Sequence, residues 1–303
     1  MQAVSLENIT KTFGSHVAVD ELSLTVPKGS VYGFIGPNGS GKTTTLRMIM
    51  NILYPDSGQI RIFGEPICRS TVNRIGYMPE ERGLYKRMKV RELLRFFGEL
   101  KNMEHASAEV DGWLEKLGLR EWANKKVETL SKGMSQKVQF IATVVSRPEL
   151  VLLDEPFTGL DPVNTDIIKD AILELQDRGT TVIFSTHDMG MAERMCDFIF
   201  MIFKGRKVLD GTLDAIQDRY GHDTIRIRCD DGSSPLRAIE GIDKVNDFGQ
   251  LQELRMLPGA DPYQILTKIM ARTRVSSFDI VKPSLHDIFV RIAGAEAAEA
   301  IDG

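Results

Sequence analysis

Gly36-Pro37-Asn38-Gly39-Ser40-Gly41-Lys42-Thr43-Thr44 is the stretch whose reading decides the fold. Its first eight residues match G-x-x-x-x-G-K-[ST], the pattern of a loop that cradles phosphate groups. The apolar run 30–35 just before it reads as a strand, and after it Leu46, Ile49, Met50 and Leu53 recur at the spacing of one helix face, closed by Pro55 and the turn Asp56-Ser57-Gly58. The glycines therefore join a strand to a helix, which is the context the pattern needs. Glycines let backbone N–H groups converge on phosphate oxygens, the helix N-terminus adds partial positive charge, and Lys42 can reach the β and γ phosphates. Thr43 offers a hydroxyl to magnesium. A tight glycine turn without a ligand is the bland alternative, and the strand and helix flanks argue against it.

Further strands are expected over 4–10, 22–26, 150–153 and 181–184. Residues 81–130 are rich in helix formers and read as a helical insert. Ser131 is placed as the N-cap of a helix carrying Met134, Val138, Ile141, Ala142 and Val145 on one face and ended by Pro148. Asp161 before Pro162 caps another, over 163–176. Strands alternating with helices predict an α/β fold with a largely parallel sheet. The pattern changes after about residue 220: 224–228 alternates Ile with polar residues, and Asp261-Pro262 opens an amphipathic helix. A small α+β domain is expected over 222–292, with a frayed tail at 293–303.

The chain has 303 residues, 42% hydrophobic and 26% charged, which suits a globular protein rather than a disordered or fibrous one. A net charge of -4 gives no general attraction to nucleic acid or anionic lipid. Cys68, Cys196 and Cys229 are far apart and odd in number, which fits a reducing compartment better than a disulfide framework. The start MQAVSLENITKTFG lacks the basic and apolar regions of an export signal. The most apolar stretches, 150–153 and 198–203, fall far short of the roughly 20 residues that span a bilayer, so any membrane role must come through a partner.

Leu150-Val151-Leu152-Leu153-Asp154-Glu155 puts two carboxylates at the end of a buried strand, where open α/β sheets bind ligands. Asp154 would hold magnesium, and Glu155 would orient or deprotonate the attacking water. Alone, these acids also allow the minority reading of a strand end with solvated acids. His187, by itself, is an ordinary histidine after a strand.

The joint order of the phosphate loop, the helical insert, Leu130-Ser131-Lys132-Gly133-Met134, Leu153-Asp154-Glu155-Pro156, Gly159-Leu160-Asp161 and Ser185-Thr186-His187 resembles the ATP-binding-cassette ATPases over about residues 2–221. The resemblance implies a P-loop NTPase core of RecA type, an antiparallel β subdomain near the N-terminus and a helical subdomain at about 81–146. It implies ATP and Mg²⁺ as cofactors, with Gly36 to Thr44 on the phosphates, Phe13 stacking on adenine, and Thr43, Asp154 and Glu80 at the metal. Glu155 and His187 are the implied catalytic pair. Two such domains are implied to close head to tail around two ATP molecules, Ser131, Lys132 and Gly133 facing the partner's nucleotide and Asp161 in the adjoining loop. The pairing is with a second copy or another cassette.

Three residues, Lys132, Met134 and Glu80, depart from that family's usual pattern in two motifs. LSKGM stands for LSGGQ, and Glu80 in Gly76-Tyr77-Met78-Pro79-Glu80 stands for glutamine. These, with the PEERGLY stretch and Lys282-Pro283-Ser284-Leu285-His286-Asp287-Ile288-Phe289, resemble the branch serving ABC-2-type exporters. It implies separate transmembrane permease subunits, a groove near 80–90 with Tyr85 and Met88 as candidate contacts, and a cytoplasmic location on the inner membrane face. A non-transport cassette ATPase acting on ribosomes or nucleic acid, and a soluble phosphate-loop kinase, are the competing readings; the single cassette with its acidic balance disfavours the first and LSKGM the second.

Overall fold

The computed structural model describes every residue except Arg82, Asn102, Glu104, His105, His222 and Gly303; the side chains of 295–302 also lie outside the description. Arg82 of the PEERGLY stretch and His222, the expected start of the second domain, are thus not covered. The chain divides into two compact units, Met1–Thr212 and Leu213–Gly303.

The first unit runs β1 (Gln2–Phe13), β2 (His16–Pro27), β3 (Val31–Ile35), α1 (Lys42–Ile49), β4 (Ser57–Ile62), β5 (Glu65–Pro66), α2 (Arg69–Asn73), β6 (Ile75–Met78), α3 (Val90–Leu100), α4 (Ala106–Lys116), α5 (Lys132–Val144), β7 (Leu150–Asp154), α6 (Pro162–Asp177), β8 (Thr181–Thr186), α7 (Met189–Met195), β9 (Phe198–Phe203) and β10 (Arg206–Gly211). One sheet, in the order β2-β1-β4-β5, is antiparallel. The other is ordered β10-β9-β3-β8-β7-β6, parallel throughout except for β10.

Every residue of β3, β7 and β8 is buried, as expected for parallel strands covered on both faces. Period-two alternation divides their side chains between two cores. Leu150 and Leu152 join Tyr32, Phe34, Leu46 and the apolar face of β1 and β2. Val151 and Leu153 join Phe184, Trp113, Phe140 and Ile172, which tie the sheet to α4, α5 and α6.

Helix α1 ends at Ile49 rather than continuing to Leu53, because Asn51 turns into the left-handed region at φ 59 and the N–H groups of Ile52 and Leu53 both fold back to the Arg47 carbonyl. In the expected turn Asp56-Ser57-Gly58, Ser57 and Gly58 instead begin β4, with the Asp56 carboxylate just before it accepting from the Thr12 N–H at 2.7 Å. Asp161 caps α6 by accepting from Asn164 N–H at 2.9 Å.

The second unit comprises α8 (Leu213–Asp218), β11 (Thr224–Cys229), β12 (Ile242–Asp247), β13 (Gln252–Met256), α9 (Pro262–Met270), β14 (Val275–Val281) and α10 (Leu285–Asp302). Its antiparallel sheet has the order β12-β13-β11-β14, and Ile225, Ile227 and Leu254 pack with Ile265 and Ile269 of α9. The unit starts at Leu213, ahead of residue 222, because Lys282 pairs with Asp214 at 3.0 Å and Asp218 at 2.8 Å and so fixes α8 to the end of β14. Helix α10 runs through the start of the C-terminal tail to Asp302. Ser284 explains its start: its hydroxyl accepts from the Asp287 N–H and donates to the Asp287 carboxylate at 2.6 Å, a reciprocal cap.

Candidate functional site

The loop between β3 and α1 needs glycine at its ends. Gly41 has φ +110, and a Cβ there would lie 2.5 Å from the Ala18 carbonyl oxygen; at Gly36, with φ +153, it would lie 2.2 Å from that of Ile202. Such close backbone approach aims the N–H groups of the first turn of α1 into a cleft of about 350 Å³. Its walls include Asn38, Gly39, Gly41, Lys42, Thr43 and Thr44, faced by Phe13, Glu80 and Glu155.

Lys42 is buried, and its ammonium donates to the carbonyls of Gly36 at 2.7 Å and Pro37 at 3.0 Å. Burial pulls its pKa below the usual lysine value, opposed by the charges of Glu155, Asp154 and Glu80. A buried cation held by loop carbonyls and facing acids is poised for an anionic ligand.

Asp154 ends β7 and Ser185 lies beside it on β8. The Ser185 hydroxyl donates to Asp154 Oδ1 at 2.6 Å and accepts from the Glu155 N–H at 3.0 Å, fixing the direction of both acids. Thr43 Oγ1 donates to the same Oδ1 at 3.1 Å, while Asp154 Oδ2 is buried without a hydrogen-bond partner. An orphan carboxylate oxygen beside a threonine hydroxyl fits a small divalent cation that completes its shell with nucleotide oxygens and water. Among the described residues no three His, Cys, Asp or Glu side chains converge as a metal cage.

Glu155 has φ 50, unusual for a residue with a side chain, and is nearly buried. Both its carboxylate oxygens lie 3.1 Å from His187 Nδ1; Thr158 Oγ1 donates to Oε2 at 3.3 Å, and Lys42 Nζ is 4.0 Å from Oε1. The strained turn at Glu155 lifts this acid out of the sheet edge into the cleft. Lys42, Thr43, Asp154, Glu155 and His187, distant in sequence, thus meet in one place.

Phe13, at the end of β1, is 48% exposed on the rim, with the Lys11 ammonium 5.7 Å from its ring centre, so one ring face remains for a flat ligand. Glu80 is exposed on the same rim. Pro37 and Ser40 shape the loop through the Ser40 N–H to Pro37 carbonyl bond at 3.2 Å; the Ser40 hydroxyl is buried without a partner.

Ser131, Lys132, Gly133 and Asp161 do not line this cleft. They form a second cluster at the start of α5, where the Ser131 hydroxyl accepts from the Met134 N–H at 3.2 Å. A Cβ built on Gly133 would lie 3.6 Å from Leu160 Cδ2 and 3.7 Å from Asn164 Nδ2. Sequence reasoning missed four helpers: His16 on the cleft wall, Ser185, Thr158, and Gln139, whose amide donates to the Pro79 carbonyl at 2.7 Å and so ties α5 to the strand end before Glu80. Ser185 had a signal, standing two residues before His187. The other three are isolated polar residues with no spacing to mark them.

Fold and site together define a phosphate-loop nucleoside triphosphatase of the cassette type. The family "ABC transporter" matches residues 19–158, and the family "ATP-binding protein DrrA1-3-like, C-terminal domain" matches 211–293. An uncharacterized ABC transporter ATP-binding protein, YhaQ of Bacillus subtilis, is 40% identical over 294 residues, 96% of this chain and 99% of the relative. Nod factor export ATP-binding protein I of Burkholderia lata is 34% identical over 97% of both chains. A solved ATP-binding subunit of an ABC transporter superposes with a TM-score of 0.68 at 27% identity, over 72% of this chain and 93% of that one. The chain belongs to the ABC transporter ATP-binding proteins, and its activity is ATP hydrolysis in the service of transport. Proteins of this family work with transmembrane permeases; no helix among the described residues of this chain is long and apolar enough to cross a membrane.

Proposed function

We propose that this chain is the ATPase subunit of an exporter, sitting on the inner face of the membrane against separate permease subunits. The export relative and the DrrA-like match of the second unit support that direction. We read Met1–Thr212 as the ATP-binding domain and Leu213–Gly303 as an accessory domain.

The residues divide the chemistry among them. Gly36 to Thr44 hold the triphosphate, with Lys42 released from the Gly36 and Pro37 carbonyls to bind the β and γ phosphates. Phe13 stacks on the base. Thr43 and Asp154, with Glu80 on the same rim, would hold Mg²⁺, which when bound would supply charge neutralisation at the phosphates. Glu155 takes the proton of the attacking water, and His187, against that carboxylate, orients the water and the γ-phosphate. Two copies, or this chain and a second cassette, close head to tail, so that Ser131 and the N-terminal amides of α5 face the partner's nucleotide, with Lys132, Gly133 and Asp161 beside it.

The observation that carries the reading is the meeting of Lys42, Asp154 and His187 around the Glu155 turn. ATPase rate and oligomeric state of the protein, compared with Glu155→Gln in magnesium and ATP, test it. Hydrolysis is expected to fall at least about a hundredfold while an ATP-bound dimer accumulates. Full activity in Glu155→Gln would remove Glu155 as the base and turn attention to Glu80.

A further inference from the structure

Lys132 stands where the cassette family's usual signature carries glycine, and its side chain does something a glycine cannot. It lies across the turn after Glu155: a Cβ built on Gly159 would fall 2.6 Å from both Lys132 Cε and Nζ and 3.4 Å from Cδ. The turn and the first turn of α5 touch at two more points. A Cβ built on Gly133 would meet Leu160 Cδ2 at 3.6 Å and Asn164 Nδ2 at 3.7 Å, and Gln136 donates to the Pro156 carbonyl at 3.1 Å. The same turn holds Thr158, whose hydroxyl donates to Glu155 Oε2, and Gly159 follows it directly. A continuous path of contacts therefore runs from the signature turn to the catalytic carboxylate within one chain: Lys132, Gly159, Thr158, Glu155.

We propose that the aliphatic stem of Lys132 is a strut that braces the 155–161 turn of its own chain, making Lys132 a positioning residue for Glu155. The inference rests on the reading of Glu155 as the base. Glu155 occupies a left-handed backbone conformation that is stable only where its surroundings over-determine it. Thr158 and Ser185 supply polar restraint on this residue. The strut supplies packing on the solvent side, where Gly159 leaves the room for it at φ +75. Signature turn and catalytic turn then move together, so that a partner docking on the first is felt by the second.

Stem and charge make opposite demands, which gives the test. Lys132→Met keeps the unbranched stem and removes the charge; Lys132→Ala removes both and keeps helix propensity. Steady-state ATPase of the full chain is measured for both, with Gly159→Ala and the double variant Gly159→Ala/Lys132→Ala. The strut is expected to make Lys132→Ala about fivefold slower in kcat than Lys132→Met, which has equally lost the charge, with the same KM for both, the pattern of lost positioning rather than lost binding. Gly159→Ala should be slowed more than the double variant, because the second substitution vacates the space the new methyl invades. Equal slowing of Lys132→Met and Lys132→Ala would overturn the strut in favour of a charge acting on phosphate, and full activity in Lys132→Ala would remove any role. Glu155→Gln run alongside separates the two readings: if it still hydrolyses ATP, the base assignment falls, whatever Lys132 does.

Discussion

The two units of this chain use sheets in opposite ways. In Met1–Thr212 the strands that carry chemistry are parallel and buried at every residue, and the functional side chains sit beyond their ends: Lys42 after β3, Asp154 and Glu155 at the end of β7, His187 after β8. In Leu213–Gly303 the strands are antiparallel and partly exposed, with β12 and β14 showing no fully buried residue. A sheet sealed on both faces can display polar groups only at its edges, which gathers them. A sheet with one wet face spreads them out, and in the second unit the charged pairs Arg226–Glu253, Arg291–Asp223 and Arg255–Asp243 tie strands and helix together.

Four substitutions or modifications can break or sharpen that contrast. Gly41→Ala has the largest expected effect. The added methyl meets the Ala18 carbonyl oxygen at 2.5 Å in a backbone conformation that excludes it, so ATP affinity measured by calorimetry should fall more than about a hundredfold. The core of the second unit is next. Ile269→Ala empties a fully buried site and should lower the stability of that unit by about 2–5 kcal/mol in denaturant melts, with the ATP affinity of the first unit retained. A joint loss of nucleotide binding would show that the contrast fails and the units depend on each other.

Asp161→Ala removes the cap of α6 and should lower the melting temperature modestly. The smallest effect concerns the thiols. The Ser70 hydroxyl and the Thr71 N–H beside the exposed Cys68 lower its pKa to about 7, whereas burial raises those of Cys196 and Cys229. Alkylation by iodoacetamide should therefore begin at Cys68 and rise through a midpoint near pH 7, since the thiolate is the reactive form; mass spectrometry of the peptides checks it.

Much of the first unit was legible because its signals are local. A phosphate loop needs its glycines in one run, and the caps Ser131 and Asp161 act on amides three residues away, so both helix starts could be placed to the residue. The end of α1 could not. Leu53 keeps the helical spacing, but Asn51 turns left and the later residues bond back to Arg47. After 292 the alanines and glutamates belong to α10, which Ser284 starts; such residues favour helix. The tie between α8 and the end of β14 joins Lys282 to Asp214, 68 residues apart, a contact with no trace in local composition.

Sequence by itself determined the class of protein, the phosphate cradle and the identity of the acids, because these rest on residue types at fixed spacing along one strand, loop or helix. Only the tertiary structure decided how Glu155 is aimed. Its direction is set by Ser185 and Thr158, its backbone by a left-handed turn, and its neighbours by strands that meet in an order different from that of the chain. The physical reason is range: caps and glycine turns act over a few residues, whereas a hydrogen bond across a sheet joins residues about thirty apart in sequence and exists only after the core has closed.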